Sequence, residues 1–436
     1  MKNNHLIVIS VDALVFEDLE YAKNLPAFSE ILSRGSIVER VTTAYPSSTH
    51  PVHSVIMSGQ PTGDTSVVNS SAFNPDNPTA PTFALNNLSD VKCDTILHAA
   101  KRAGLITACC SWPLTSGGNE VIDYLVPNAF NYDIDGFDNF MDGYRKLGAT
   151  ECLLGIIEEA VKLYGHVNIH PDIDYFQTHC LVEIIKRYKP NLVLTHPGEV
   201  DEVRHHYGVY ADEVKSALER MDSCIGKIIQ ATKDAGIYEQ TNFIVLGDHG
   251  QFPIMRYSSP NAIFVSEGLI KLNDKGQIAS YDAYCKPAGG SAHVYLRDKS
   301  DKKTYNKVYG LLKDMAKQNV YGFDTVFTEA ETKRKYGLYG DFSFVLDTDG
   351  FTSFKGSLTG PIVTVPDHGN FKKIYGTHGH SPEKGPQPTF FGAGPDIKQG
   401  VVIEKGHVLN HAPTFASILG IDLPDAKGKP VTEILK

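Results

Sequence analysis

A single tryptophan stands among 436 residues, and no apolar run reaches the length that crosses a bilayer as a helix. No membrane association is expected. The seven cysteines, Cys93, Cys109, Cys110, Cys152, Cys180, Cys224 and Cys285, are odd in number, scattered and never in C-x-x-C spacing. That pattern excludes a recognisable disulfide framework or cysteine-based metal knuckle, and the thiols read as reduced. Met1-Lys-Asn-Asn-His5 leads straight into the short run Leu6–Val11, without the longer apolar stretch and cleavage site of a signal peptide, so the expected location is the cytoplasm. Positive charge is scarce too. Forty-one Lys and Arg against 51 Asp and Glu give a formal charge of -10, which argues against a nucleic-acid polymer or an anionic membrane surface as partner. There is no internal repeat and no low-complexity tract.

What the chain does have is an alternation of short β-branched runs with longer amphipathic stretches. Leu6–Val11, Asn191–Thr195 and Asn242–Leu246 read as strands, and Leu25–Ser33 and Tyr210–Ala235 as helices. Such alternation predicts an α/β fold with a mainly parallel sheet flanked by helices. The length exceeds that of a typical domain, and the texture changes from about Phe252 to about Phe371, where short pieces such as Ala292–Leu296, Thr304–Gln318 and Phe342–Leu346 are joined by loops. The expected organisation is a core of residues 1–251 and 372–436 with a smaller α+β cap inserted at 252–371. The core resumes with Thr389–Phe391 and a helix His411–Leu419 that Gly420 stops.

Ligand sites in open parallel sheets lie beyond the carboxyl ends of the strands. Asp12, Asp201 and Asp248 each follow one of the predicted strands, which puts three carboxylates at one edge. His249 adjoins Asp248, and the two side chains converge only if the chain turns at Gly250; a shared metal ion would give them a reason to, whereas a solvated turn would not. Asp201 and His205 are four apart, on one face if the segment is helical. Pro51, with Val52, Val55 and Ile56 as an apolar face, marks the first turn of a further helix, so Thr49 falls at an N-terminus suited to an anion. Thr49 is an ordinary cap or a nucleophile, with Ser47 and Ser48 as competing hydroxyls. His378 lies between glycines that permit close approach, with His380 as its rival. The second Asp-His-Gly, at Asp367-His368-Gly369, follows Pro366 and reads as a turn, while His50, His53, His196, His206, His293 and His411 read as surface, packing or supporting residues.

Taken together, Val8-Ile-Ser-Val-Asp-Ala13, Pro46-Ser-Ser-Thr-His-Pro-Val-His53, Asp201-Glu-Val-Arg-His-His-Tyr-Gly208, Gly247-Asp-His-Gly250 and Gly376-Thr-His-Gly379 resemble the alkaline phosphatase superfamily, most closely its nucleotide pyrophosphatase/phosphodiesterase branch. The tail segments Gly392–Gly400 and Ala412–Gly420 share the resemblance. It implies an alkaline-phosphatase-like core and two divalent metal ions, zinc being expected. One zinc is implied on Asp201, His205 and His378, the other on Asp12, Asp248 and His249 with Thr49 as nucleophile. Asn69 resembles the family's phosphate-contacting asparagine, although Gln60–Ser66 before it departs from the usual pattern and Val52 replaces the usual asparagine after the proline. The expected function is hydrolysis of a small phosphodiester, nucleotide-like or otherwise, through a phospho-threonine intermediate. A phosphonoacetate-type C–P hydrolase, a phosphomonoesterase and a non-enzymatic metal-binding module are the alternatives, and the cap is expected to decide among substrates.

Overall fold

A computed structural model describes residues 4–80, 84–129, 140–165, 169–367, 369 and 374–436. Its centre is an eight-stranded sheet in the order Val402–His407, Ser36–Thr42, Phe390–Ala393, Thr241–Leu246, His5–Ser10, Leu192–Thr195, Thr107–Cys110, Tyr124–Val126. The last five strands in this order are mutually parallel, and Phe390–Ala393 runs antiparallel to both of its neighbours. The fold is thus α/β with a mostly parallel sheet, as expected. The middle strand explains why: all six residues of His5–Ser10 are buried, as they are when helices cover both faces. Ile7 and Ile9 pack with Phe28, Ile31, Leu218 and Ile225 in one layer, whereas Leu6 and Val8 pack with Val52, Val55, Ile56 and Phe415 in the other. Strand alternation sends successive side chains to opposite layers.

Helix boundaries follow local chemistry. The helix Pro26–Arg34 starts with proline at its first position, where no N–H is needed, and Thr49–Ser58 and His411–Leu419 both end on left-handed glycines, Gly59 and Gly420. The helix expected over Tyr210–Ala235 spans Glu213–Asp234, leaving Tyr210 exposed. One cap comes from a different helix: Asp222, on Glu213–Asp234, accepts the N–H groups of Ala27 and Phe28 at 2.8 and 2.9 Å. Replacing it strands two buried donors. Asp222→Ala is expected to lower unfolding free energy by about 1–3 kcal/mol in denaturant titration, with little change in m-value.

The segment after Phe252 forms an antiparallel sheet in the order Ala283–Pro287, Ser291–Leu296, Phe344–Thr348, Phe323–Thr328, with the helices Pro260–Ser266, Lys302–Gln318 and Glu329–Tyr336. Much of it packs into an apolar cluster of its own, including Phe264, Val294, Leu312, Phe323 and Leu346. It joins the remainder through short pairings such as Phe252–Pro253 with Gly376–Thr377. Residues 370–373, where this segment was expected to end, lie outside the described residues. Among the described residues no helix is long and apolar enough to cross a membrane.

Candidate active site

Asp12 follows the strand His5–Ser10 after one residue, and Asp248 follows its neighbour Thr241–Leu246 after Gly247, so the parallel pairing sets the two carboxylates side by side. Ala13 then takes a left-handed conformation, φ +56°, and its N–H donates to Asp248 Oδ1 at 3.1 Å. The His249 N–H donates to the same oxygen at 2.9 Å. Asp248 Oδ2 and Asp12 Oδ1 have no hydrogen-bond partner although both are buried. His249 Nε2 lies 3.4 Å from each of those two oxygens and 3.1 Å from Thr49 Oγ1. Four polar atoms from three elements thus converge. Gly250 serves this convergence by proximity rather than by a left-handed turn, since a Cβ there would sit 2.3 Å from the Pro386 carbonyl oxygen.

A second group forms beside the first. The helix Glu199–His206 carries Asp201 and His205 on one face, with His205 Nε2 3.1 Å from Asp201 Oδ2 and His378 Nε2 4.0 Å from Asp201 Oδ1. His205 Nδ1 donates to the Gly376 carbonyl at 2.9 Å, which fixes the tautomer and turns Nε2 towards Asp201. The His378 ring stacks on His249 at 4.1 Å, linking the two groups. Gly379 allows this placement: its φ is +93°, and a Cβ would lie 1.8 Å from the Ala288 carbonyl oxygen.

Charge decides what these groups fit. Burial, then the neighbouring Asp12 carboxylate, pushes the Asp248 acid well above its ordinary range; burial, then Asp201, does the same to Asp12. Burial alone would lower His205, but Asp201 overrides it and lifts the imidazole to about 9. Burial lowers His249, and it takes His378 down to about 4. Buried carboxylates facing the neutral imidazole of His249 are unfavourable without a cation and suitable with one. Asp12, Asp248 and His249 form one set able to hold a metal ion, and Asp201, His205 and His378 another. Nitrogen and carboxylate donors of this kind accept zinc and other divalent ions.

The rival hydroxyls are placed elsewhere. Ser47 Oγ donates to the His380 carbonyl at 2.8 Å, and Ser48 Oγ meets Ser70 Oγ at 3.0 Å. His380 packs edge-on against Phe252 and belongs to neither ligand set. Asp367 accepts the Gly369 N–H at 3.1 Å, as a local turn would, while His368 lies outside the described residues.

A family model for type I phosphodiesterase / nucleotide pyrophosphatase matches residues 6–380, which contain every residue of both ligand sets and Thr49. The chain belongs to this family. An uncharacterized pyrophosphatase/phosphodiesterase of Schizosaccharomyces pombe is 26% identical over 293 residues, covering 65% of this chain and 50% of that protein. Human ectonucleotide pyrophosphatase/phosphodiesterase family member 1 is 22% identical over 235 residues, covering 52% of this chain and 21% of that one. The chain therefore spans half or less of the length of these relatives. Murine ectonucleotide pyrophosphatase/phosphodiesterase 5 matches in fold over 100% of both chains, with TM-score 0.67 and 17% identity. A structure of an inactive threonine-to-alanine variant of that murine protein in complex with AMP matches with TM-score 0.67, 16% identity and 99% and 100% coverage.

Further histidines stand behind these residues. His196 Nε2 contacts Asp12 Oδ2 at 3.1 Å, and His53 Nδ1 donates to the Thr49 carbonyl at 2.7 Å while standing 3.6 Å from Asp248 Oδ2. His293 and His411 instead pack against Phe342 and Phe390, and the largely exposed His206 pairs with Glu202. Asp12, Thr49, Asp201, His205 and His378 line a cleft of about 300 Å³ together with His50, Ser70, Asn86, Ser111, His170 and Gln177. Residues 252–367 do not line this cleft, but the inserted segment touches the site, Gly290 N–H donating to the His378 carbonyl at 2.7 Å. Asn69 is buried just outside, its amide donating to the Pro287 carbonyl at 3.3 Å, and its neighbour Ser70 reaches the cleft instead. Sequence reasoning missed His170, Gln177 and Asn86, and it left His50 among packing residues. An i, i+4 His170–Asp174 pair was the one available signal.

Proposed function

We propose that the chain is a metal-dependent hydrolase of small phosphodiesters, acting through a phospho-threonine intermediate on Thr49. The observation that carries this reading is the placement of Thr49 Oγ1, at the first residue of the helix Thr49–Ser58, 3.1 Å from His249 Nε2 and beside the Asp12–Asp248 pair. Asp201, His205 and His378 would hold one divalent ion, and Asp12, Asp248 and His249 the other, zinc being the expected metal. Bound there, the ions supply positive charge that polarises the phosphoryl oxygens and eases ionisation of the attacking hydroxyl. Thr49 Oγ1 forms the new bond to phosphorus, and the bond from phosphorus to the departing alcohol breaks. That alcohol leaves with the proton given up by the threonine. Water then cleaves the phospho-threonine ester and restores the hydroxyl. The helix N-terminus at Thr49 favours the phosphoryl anion, while His53 and His196 hold Thr49 and Asp12 in position. Asn69 is proposed to aid phosphate binding, which requires its amide to turn from Pro287. The inactive threonine variant of the murine relative supports a threonine nucleophile, and its AMP complex supports a phosphorylated small molecule as ligand.

Rates on bis(p-nitrophenyl) phosphate, p-nitrophenyl phosphate and phosphonoacetate, each with and without chelator, test the reading. Diester turnover is expected to be fastest, to vanish on chelation and to return with zinc. Faster turnover of the monoester or the phosphonate, or chelator-insensitive rates, would contradict it.

A further inference from the structure

Asp347 stands on the strand Phe344–Thr348 of the inserted sheet, is 1% exposed, and directs its carboxylate across to the core. Tyr45 Oη and the Ser381 N–H donate to its Oδ1 at 3.2 and 3.0 Å, and Ser381 Oγ donates to Oδ2 at 2.8 Å, with Lys384 Nζ 3.0 Å from the same oxygen. A carboxylate offers about four acceptor positions, so this one is saturated. Lys384 Nζ also donates to the Thr348 carbonyl and to Asp324 Oδ1, each at 2.6 Å, which fastens the same loop to the inserted sheet. Tyr45, itself buried, packs edge-on against Tyr336 with ring centroids 4.9 Å apart. These partners are the roots of the site. Tyr45 stands four residues before Thr49, and Ser381 three residues after the ligand His378. Between those points the two segments are laced together: the Ser47 N–H and Oγ donate to the His380 carbonyl at 3.2 and 2.8 Å, and the Gly379 N–H donates to the Ser47 carbonyl at 2.7 Å. One carboxylate closes this frame from behind.

The frame joins the hydroxyl beside one ligand set to a histidine of the other, and misplacing a reacting group by about 1 Å can cost on the order of 100-fold in rate. We propose that Asp347 is a positioning residue: through Tyr45 and Ser381 it fixes Thr49 relative to His378, so that the inserted segment sets the alignment of the nucleophile. This rests on the phosphodiesterase reading above. Asp347 does not line the cleft, and its effect passes through the two segments it holds. A carboxylate that merely tied the inserted segment to the core would contribute to stability and leave turnover of the folded protein unchanged.

Zinc-loaded Asp347→Asn and Tyr45→Phe are assayed on bis(p-nitrophenyl) phosphate at a temperature where all proteins are folded, beside wild type and beside Asp222→Ala, whose hydrogen bonds lie outside the cleft. Asp347→Asn is expected to lower kcat about tenfold or more, with KM within about twofold and zinc content unchanged, and Tyr45→Phe to lower kcat about threefold or more. Asp222→Ala should leave kcat within about twofold, which separates positioning from lost stability. Hydrogen exchange of the metal-free proteins, read by mass spectrometry, should quicken in residues 45–49 and 377–381 together when Asp347 or the Tyr45 hydroxyl is replaced. Wild-type kcat in either variant, a raised KM with kcat retained, an equal loss of kcat in Asp222→Ala, or exchange that quickens only in the inserted segment would overturn the proposal. Should Asp347→Asn fail to fold, Tyr45→Phe, which removes one hydroxyl, decides alone. Wild-type turnover with kcat retained in the variants sinks the positioning role alone, whereas absent wild-type turnover sinks the phosphodiesterase reading and this role with it.

Discussion

Thr49→Ala should lower kcat on an activated phosphodiester by roughly 10³-fold or more, because it removes the atom that the proposed mechanism joins to phosphorus. The substitution deletes a hydroxyl and a methyl at the start of a helix without opening the core, so unfolding free energy should change by no more than about 1 kcal/mol. Ser47 and Ser48 cannot substitute, since their hydroxyls are directed to the His380 carbonyl and to Ser70. Thr49→Ser, which keeps the nucleophilic oxygen, should retain measurable turnover. Near-wild-type kcat in Thr49→Ala would remove the nucleophile from the account.

Asp248→Asn should separate metal binding from folding, and in opposite directions. The amide oxygen can still accept the Ala13 and His249 N–H groups, so the local backbone is preserved. What disappears is one of two buried negative charges, which weakens the cation site and relieves repulsion with Asp12 in the metal-free protein. Zinc content should fall from about two per chain to about one or fewer, and kcat should fall by roughly 10²-fold or more. Thermal melting of the metal-free variant should be no lower than that of metal-free wild type, while the rise in Tm produced by adding zinc should shrink. Plasma emission for zinc and calorimetric melts give both readouts. Full zinc content with retained activity would contradict the ligand assignment.

Much of this site is legible in the amino-acid sequence because the strands that deliver it are long, β-branched and fully buried. Leu6–Val11 and Asn242–Leu246 can be read as strands of one α/β sheet, whose carboxyl ends place Asp12 and Asp248 at the same edge; that the two strands are neighbours comes from the structure. Asp201 and His205 are readable from helical spacing, and Pro51 announces the helix that positions Thr49. Other strands are hidden. Thr107–Cys110 and Tyr124–Val126 are only four and three residues long, and Ser36–Thr42 is interrupted by Glu39 and Arg40. The antiparallel sense of Phe390–Ala393 depends on where the chain re-enters after the inserted segment, which periodicity does not encode.

The cleft wall is hidden for a different reason. Nothing in the spacing of Asp172–Tyr188 marks Gln177 as a cleft residue, and only packing brings it there. The expectation that residues 252–371 carry the substrate contacts followed from their position after the ligand strand. In three dimensions Pro287 and Gly290 reach the back of Asn69 and His378, and the walls come from helices and loops of the core.

The stereochemical course at phosphorus tests the central claim most directly, because it reports the number of displacements whether or not an intermediate accumulates. A chiral phosphorothioate diester is hydrolysed in ¹⁸O-water by the zinc-loaded protein, and the configuration of the product is determined. Two successive in-line displacements, through Thr49 and then water, predict net retention. Net inversion would show a single direct attack by water and would contradict the phospho-threonine intermediate.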